Sequence, residues 1–401
     1  MELNNSTTPI RTAAVLPGTV SGDSSGNLSR DLSRDLSLDI ARGIGIIMVV
    51  TTHVESISIP ARIFIVSFNM PFFFLLSGLL LYIRQEELKP MTVIAKKKLK
   101  TMMLPYLLFT IAAVIAFVVY MYLRLFFSHE PVPSLLPFFK TDIRYFVSLF
   151  GISVLWFLPA LFGAELIFLM IRKHAPNAVT ILNICALTVV ARFAQASLDR
   201  LNAVNALGTA GLFFHALIRI AYATFFVMIG YEFGILQSGL AAFILKSRSK
   251  KLPAIFLPVA QFVCGVFLMA LGTYIGFLNG SIDLRSLFIG EPYLYFPAAV
   301  LMSIGLILIC KAFSSASYIF LFRYLRFLGR ESLFIMCTHL DWYLLLMGTI
   351  LADFAIKRYP FQNHRAFMYP AMIVVFTMIA ESVLIIVKNR IKKFVTSKRK
   401  S

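Results

Sequence analysis

The sequence predicts an all-α polytopic membrane protein of about ten transmembrane helices, with both termini in the cytoplasm. Three observations predict it. Of 401 residues, 59% are hydrophobic and the mean hydropathy is +0.82, where a soluble domain is nearer half apolar. Only 14% are charged, too few to solvate the surface of a globule this size. The apolar residues also fall into runs of about 20, the length that crosses a bilayer.

Residues 1–36 are rich in Ser, Gly, Asp and Arg and contain a small repeat, SRDLSRDLSLD. Such a segment buries too little apolar area to order itself and is expected to be a disordered cytoplasmic tail. It has no hydrophobic core near Met1 and does not read as a signal peptide. Apolar runs then follow at about 38–56, 62–83, 102–126, 146–171, 178–196, 214–237, 252–278, 290–312, 329–352 and 366–388. The stretch from 203 to 237 is too long for one span and short for two, so one helix preceded by a re-entrant or interfacial piece is expected. Residues 37–389 form the transmembrane domain. Residues 390–401 form a basic cytoplasmic tail.

Net charge is +19, from 38 Lys and Arg against 19 Asp and Glu. In a soluble chain that balance points to nucleic acid; here it reads as loops that fix topology. On the side shared by both termini the four loops and the C-terminal tail carry 23 basic residues, including Arg84, Lys96, Lys97, Lys98 and Lys100, against ten on the other side. That bias places both termini inside. Cys185, Cys264, Cys310 and Cys337 lie in apolar runs without paired spacing, so neither a disulfide framework nor a metal site is expected. No appended soluble domain is expected, so any chemistry is expected to use residues in or beside the bundle.

The first run, LDIARGIGIIMVVTTH, carries Arg42 and His53. Eleven residues of α-helix turn to within about 20° of whole rotations, so both share one face, about 16 Å apart along the axis. Asp39 is three residues before Arg42 and shares that face. Lipid does not accept such a stripe; it must face the bundle interior or a water-filled cavity. Both side chains are therefore expected to point into one common hollow. Arginine forks onto phosphate or carboxylate and suits an anionic cytosolic ligand. A neutral imidazole deeper in the cavity suits a general base for a hydroxyl.

Further motifs follow in order. SFNMPFFFLLSGLLL contains Asn69, Pro71, Ser77 and Gly78; KKKLKTMMLPYL, WFLPALFGAELI and LRFLGRESLFIMCTHL follow, the last with Ser332 and His339. Together with Asp39, Arg42, Gly43 and His53, these resemble the membrane acyltransferase 3 family over residues 38 to 388, and most closely its sugar O-acetylases of the fucose and nodulation-factor type. Two positions depart from that branch: Asn69 stands where it commonly has His, and Thr52 where Gly often precedes the motif His. Asn hydrogen-bonds but does not titrate in this range.

The resemblance implies an acyl-CoA-dependent O-acetyltransferase in the bacterial inner membrane that moves acetyl to a hydroxyl of a surface or secreted glycan. Acetyl-CoA would be a substrate, with no bound cofactor and no nucleic-acid partner. His53 would be the base and Arg42 would position the donor, the two catalytic candidates. Asp39, Asn69, Ser77, Lys97, Lys98, Ser332 and His339 would bind substrate, although helix packing is the preferred use for Ser77 and Gly78 and a structural hydrogen bond is an equal use for His339. Glu331 would pair with Arg330, Arg326 or Arg323. A transporter or flippase of a lipid-linked saccharide is the competing class, disfavoured because no related halves are visible. A non-catalytic anchor leaves Arg42 and His53 unexplained.

Overall fold

A computed structural model of the chain describes residues 35–128, 134–200, 206–246, 256–313, 319–358 and 365–398. By its internal contacts the chain divides after Asp35, and the account below concerns the unit from Leu36 onward. The expected disordered tail lies outside the described residues except at its last two positions.

The unit is all-α. Its only β-type pairing among the described residues is an isolated bridge between Asp283 and Phe288. Among the described residues, eight helical segments are long and apolar enough to cross a membrane: 59–83, 91–127, 153–174, 177–200, 209–240, 256–279, 292–312 and 366–397. Helix α1 (Leu36–Thr52) is apolar but only 17 residues long. It stops where the hydroxyls of Thr51 and Thr52 bond back to the carbonyls of Ile47 and Val49. His53 therefore stands in the turn beyond the helix.

The chain re-enters through Pro60 in α2 (Ile59–Val66), breaks at Ser67 and Phe68, and continues as α3 (Asn69–Ile83). A short 3-10 turn, Glu86–Leu88, leads to α4 (Met91–Lys98). A π-helical turn, Leu99–Met103, joins α4 to α5 (Leu104–Ser128). The fourth expected span divides: an amphipathic helix α6 (Leu136–Val147) comes first, and α7 (Phe157–His174) does the crossing. Helix α8 covers Asn177–Arg200. Helix α9 (Thr209–Lys246) is one continuous helix through the ambiguous stretch. The expected re-entrant piece before it falls partly on residues 201–205, outside the described residues.

Helices α10 (Phe256–Asn279) and α11 (Pro292–Ala312) pack as a hairpin around an ordered turn. The expected ninth span, 329–352, is not one helix. It comprises α12 (Phe320–Arg330), α13 (Ser332–Thr338) and α14 (Leu344–Arg358). Arg323, Arg326 and Arg330 recur along α12 and make it too amphipathic to cross lipid. The last helix, α15, runs Arg365–Lys398, so most of the expected basic tail is the end of that helix.

Two small-residue crossings set the centre of the bundle. A Cβ on Gly43 would lie 2.1 Å from the Leu325 carbonyl oxygen, and one on Gly329 would lie 1.9 Å from that of Asp39, so α1 and α12 touch backbone to backbone. Gly78 of α3 and Gly230 of α9 meet in the same way, each Cβ position 1.8 Å from the facing carbonyl oxygen of Val227 or Leu75. Close approach of this kind drives helix association where lipid supplies no hydrophobic force. The buried core of Ile40, Ile46, Val50, Phe72, Phe74 and Phe226 fills the space between these crossings. Large apolar side chains on α5, α8, α10 and α15 point outward instead. Cys310 and Cys337 are buried as expected, Cys185 is half-buried, and Cys264 is exposed on the apolar outer face of α10.

Candidate functional site

Helices α1, α12 and α13 build the site's spine. Asp39 is 1% exposed and sits between two arginines, 3.5 Å from Arg42 Nη1 and 3.5 Å from Arg330 Nε. The Gly43–Gly329 contact brings Arg330 this close. Arg42 opens onto an inner chamber of about 300 Å³, which is also lined by Ser77, Arg84, Lys97, Lys98, Glu165, Arg330, Ser332 and Met336. Glu165 shares its floor with the lysines, and Glu86 lies behind them. Lys98 Nζ lies 3.1 Å from Glu86 Oε2 and 2.6 Å from Glu165 Oε2. Lys97 donates to Glu86 Oε1 at 2.7 Å, and Ser77 donates to Glu165. Burial alone raises the Glu86 carboxyl, but the hydrogen bond from Lys97 and the charge and hydrogen bond of Lys98 hold it below its ordinary range. Lys98 is therefore held by two carboxylates, Lys97 and Arg42 are held by one each, and with Arg84 they line the space with cations.

His53 does not share that chamber. It lines two outer ones. One, of about 390 Å³, is bounded by Arg62, Asn69, Ser153, Trp156, Asp283, Arg285 and Met336. The other, of about 680 Å³, is bounded by Glu55, Asp142, Asp341, Tyr343 and Tyr369 with apolar neighbours. The expectation of one common hollow is thus corrected. Arg42 and His53 lie at opposite ends of α1, and Met336 is the side chain in both the inner and the outer wall. The physical reason is length: ten intervening residues separate the two by about 16 Å, more than one small cavity spans, and His53 has left the helical projection.

Helix α13 runs beside α1 and repeats its order. Ser332 lines the inner chamber, Met336 the dividing wall, and His339 packs against His53 with ring centroids 5.2 Å apart. His339 is 0% exposed. Its Nδ1 lies 2.9 Å from the Ile335 carbonyl oxygen, an acceptor, so Nδ1 carries the proton and Nε2 is left as an acceptor. Nε2 is buried with no partner among the described residues. Behind it, the Thr338 hydroxyl donates to the fully buried Glu381 carboxylate at 2.9 Å. Asn69 stands at the start of α3, and its Oδ1 accepts the Met70 N–H at 2.8 Å.

The outer chamber is roofed by the α10–α11 turn. Asp283 and Phe288 pair backbone to backbone. Gln195 donates to the Leu287 carbonyl and Asn279 to that of Ile289. The fully buried Arg219 donates to the carbonyls of Phe150 and Arg285.

The structure therefore groups Asp39, Arg42, Ser77, Lys97, Lys98 and Ser332 at the inner end, and His53, Asn69 and His339 at the outer end. Gly78 is a packing residue, whereas Ser77 beside it is bonded to Glu165. Glu331 pairs with Lys388 and not with the arginines of α12. Lys388 lies on α15, which the sequence does not show to be a neighbour.

Sequence reasoning misses Arg62, Arg285 and Met336. Arg62 and Arg285 are legible only as outer-side charges, and Met336 carries no chemical signal at all. No group of three or more His, Cys, Asp or Glu able to hold a metal is present among the described residues.

The chain is a polytopic helical membrane protein with a cationic chamber at one end of α1 and a histidine pair at the other. The family model described as an acyltransferase domain matches residues 35–387, and the chain belongs to that acyltransferase 3 family. Searches of curated proteins and of solved structures return no match.

Proposed function

We propose that this membrane acyltransferase is an O-acetyltransferase of the bacterial inner membrane, which moves acetyl from cytosolic acetyl-CoA to a glycan hydroxyl. The fucose of a lipo-chitooligosaccharide is a candidate acceptor. The observation that carries the reading is the pair of chambers meeting at Met336, one cationic and one holding His53. Phosphates of the donor would lie against Arg42, Arg84, Lys97 and Arg330, where charge also draws the donor in. Asp39 fixes Arg42, which positions the donor and moves no proton. The pantetheine arm would pass Met336 and bring the thioester to the outer chamber.

There His53 takes the proton of the attacking hydroxyl. His339 Nε2, a buried acceptor left without a hydrogen-bond partner among the described residues, would take the other ring N–H of His53 and hold that ring in orientation. As the oxygen–acyl bond forms and the thioester bond breaks, His53 returns the proton to the departing thiolate. Asn69 would contact the acceptor by hydrogen bond alone. Nothing observed favours transport of a lipid-linked saccharide.

The test is transfer of label from acetyl-CoA to a fucosylated lipo-oligosaccharide by purified protein in lipid. His53→Ala should fold and lose about 10²–10⁴-fold in rate. Transfer that survives this substitution would sink the reading.

A further inference from the structure

The chamber shared by His53 and Asn69 holds two arginines, neither of which is in an ion pair among the described residues. Arg62 donates from Nη2 to the Val54 carbonyl oxygen at 3.1 Å. Arg285 lies with its guanidinium 5.7 Å from the Phe150 ring centroid, and its Nε is buried without a hydrogen-bond partner. Asp283, in the same lining, turns its oxygens to its own turn: Oδ1 accepts the backbone N–H of Arg285 at 2.9 Å, and Oδ2 accepts the Ser286 hydroxyl at 2.7 Å.

Behind them stands Arg219, 1% exposed, with its guanidinium 4.6 Å from Phe150 and 5.1 Å from Trp156. Its Nε also lacks a partner. It secures the loop by donating to the Arg285 carbonyl oxygen at 3.4 Å. Positive charge is thus gathered around a cavity of about 390 Å³ that also holds His53, with Arg62 and Arg285 half-buried at its wall and Arg219 fully buried behind them. In membrane proteins such groups mark substrate paths.

We infer that Arg62 and Arg285 form an oxyanion-binding site beside His53. The inference rests on the acyl-transfer reading for its occupant. When the acceptor hydroxyl attacks the thioester carbon, its proton passes to His53 and the carbonyl π pair moves onto oxygen. That oxyanion is one ligand of the required chemistry; re-forming the carbonyl expels the thiolate, which takes the proton back. An acidic group on the acceptor, a carboxylate or phosphate, is the other source. Donors fixed where negative charge develops are typically the largest catalytic contribution, and a guanidinium fork suits either source.

The experiment uses full-length protein in lipid. It compares Arg62→Gln, Arg62→Lys, Arg285→Gln and Arg285→Lys, with labelled acetyl-CoA and two acceptors, a neutral fucosylated oligosaccharide and its carboxylated counterpart. The Gln variants should lose about 10²–10³-fold, with the Lys variants recovering part of the loss. A fall in kcat on the neutral acceptor assigns the site to the thioester oxygen. A rise in KM confined to the carboxylated acceptor assigns it to the acceptor's acid. Arg62 lies on α2, away from the loop, so Arg62→Gln carries the test alone should Arg285→Gln fail to fold.

Sulfate provides a readout that needs no turnover. It should raise the melting temperature of the unaltered protein more than chloride does, by an increment that shrinks in the Gln variants. Gln variants that match the unaltered protein in rate and in sulfate response overturn the site. A sulfate response lost in the Gln variants, with no label transfer by any form, keeps the anion site and overturns the acyl-transfer reading.

Discussion

His339 shows how one residue's hydrogen bonds assign its work. With Nδ1 donating to the Ile335 carbonyl oxygen and Nε2 unpartnered beside His53, its two nitrogens are separable by substitution. An Asn amide places a donor near Nδ1 and leaves nothing near Nε2. A Gln amide reaches the Nε2 position with an oxygen that accepts. His339→Gln is therefore expected to retain kcat within about tenfold, and His339→Asn to lose at least about 100-fold with KM little changed, given the size of general-base effects. Steady-state kinetics on both variants decide it. Equal losses would reduce His339 to a packing residue. Asn69 belongs to the same scale: its Oδ1 is engaged by the Met70 N–H, which leaves its amide N–H groups for an acceptor.

Among the elements, α1 and α12 are held by the absence of side chains. Any Cβ at Gly329 meets the Asp39 carbonyl oxygen at 1.9 Å, so Gly329→Val must push the two helices apart. The Asp39–Arg330 ion pair would then open. Overpacking typically costs about 1–3 kcal/mol, read as a lower melting temperature together with a raised KM for acetyl-CoA. A change in stability without a change in KM would show that the crossing does not shape the inner chamber.

The Glu86–Lys98–Glu165 cluster ties the loop after α3 to α4 and α7. Lys98→Met leaves two buried carboxylates without that cation, and breaking buried pairs costs about 3–5 kcal/mol; denaturation in detergent measures it. Glu86 is held below its ordinary value of 4.5, so its contribution is present above that value. It is lost as pH falls through the lower, folded value. Stability that instead rose on acidification to pH 4 would contradict this pairing. Helix α13 is the element that aligns chemistry with geometry: seven residues carry Ser332, Met336 and the approach to His339 from one chamber to the other. Met336→Trp should narrow the passage and lower kcat while leaving donor binding intact, as measured by acetyl-CoA binding beside turnover.

For the whole molecule, the distribution of basic residues predicts a topology that reporter fusions test. Alkaline phosphatase joined after Lys398 should be inactive, and the same enzyme inserted within residues 129–133 should be active, because the basic bias puts the first position in the cytoplasm and the second outside. The reverse pattern would invert the chambers and place the cationic one away from cytosolic donor. Much of this plan is legible in the chain. Long apolar runs with few charges can only be membrane helices, since a backbone in lipid must bond to itself, and eight of them appear as such. The exceptions are also physical. The stretch from 320 to 358 is apolar on average, but its arginines repeat on one face of α12 and the helix breaks twice, which an average over a window conceals.

The sequence by itself determined the class, the family motifs, and the two ionisable residues of α1 that no lipid-facing helix would carry. It did so because bilayer solvation acts on each residue separately and so leaves its mark in one dimension. Only the tertiary structure decided that Arg42 and His53 open onto different chambers divided by Met336. It alone brings Arg330 to Asp39, Lys98 between Glu86 and Glu165, and Arg62 and Arg285 together beside His53. Those pairings join residues far apart in the chain, and no helical period or local charge pattern encodes which distant helix will lie alongside.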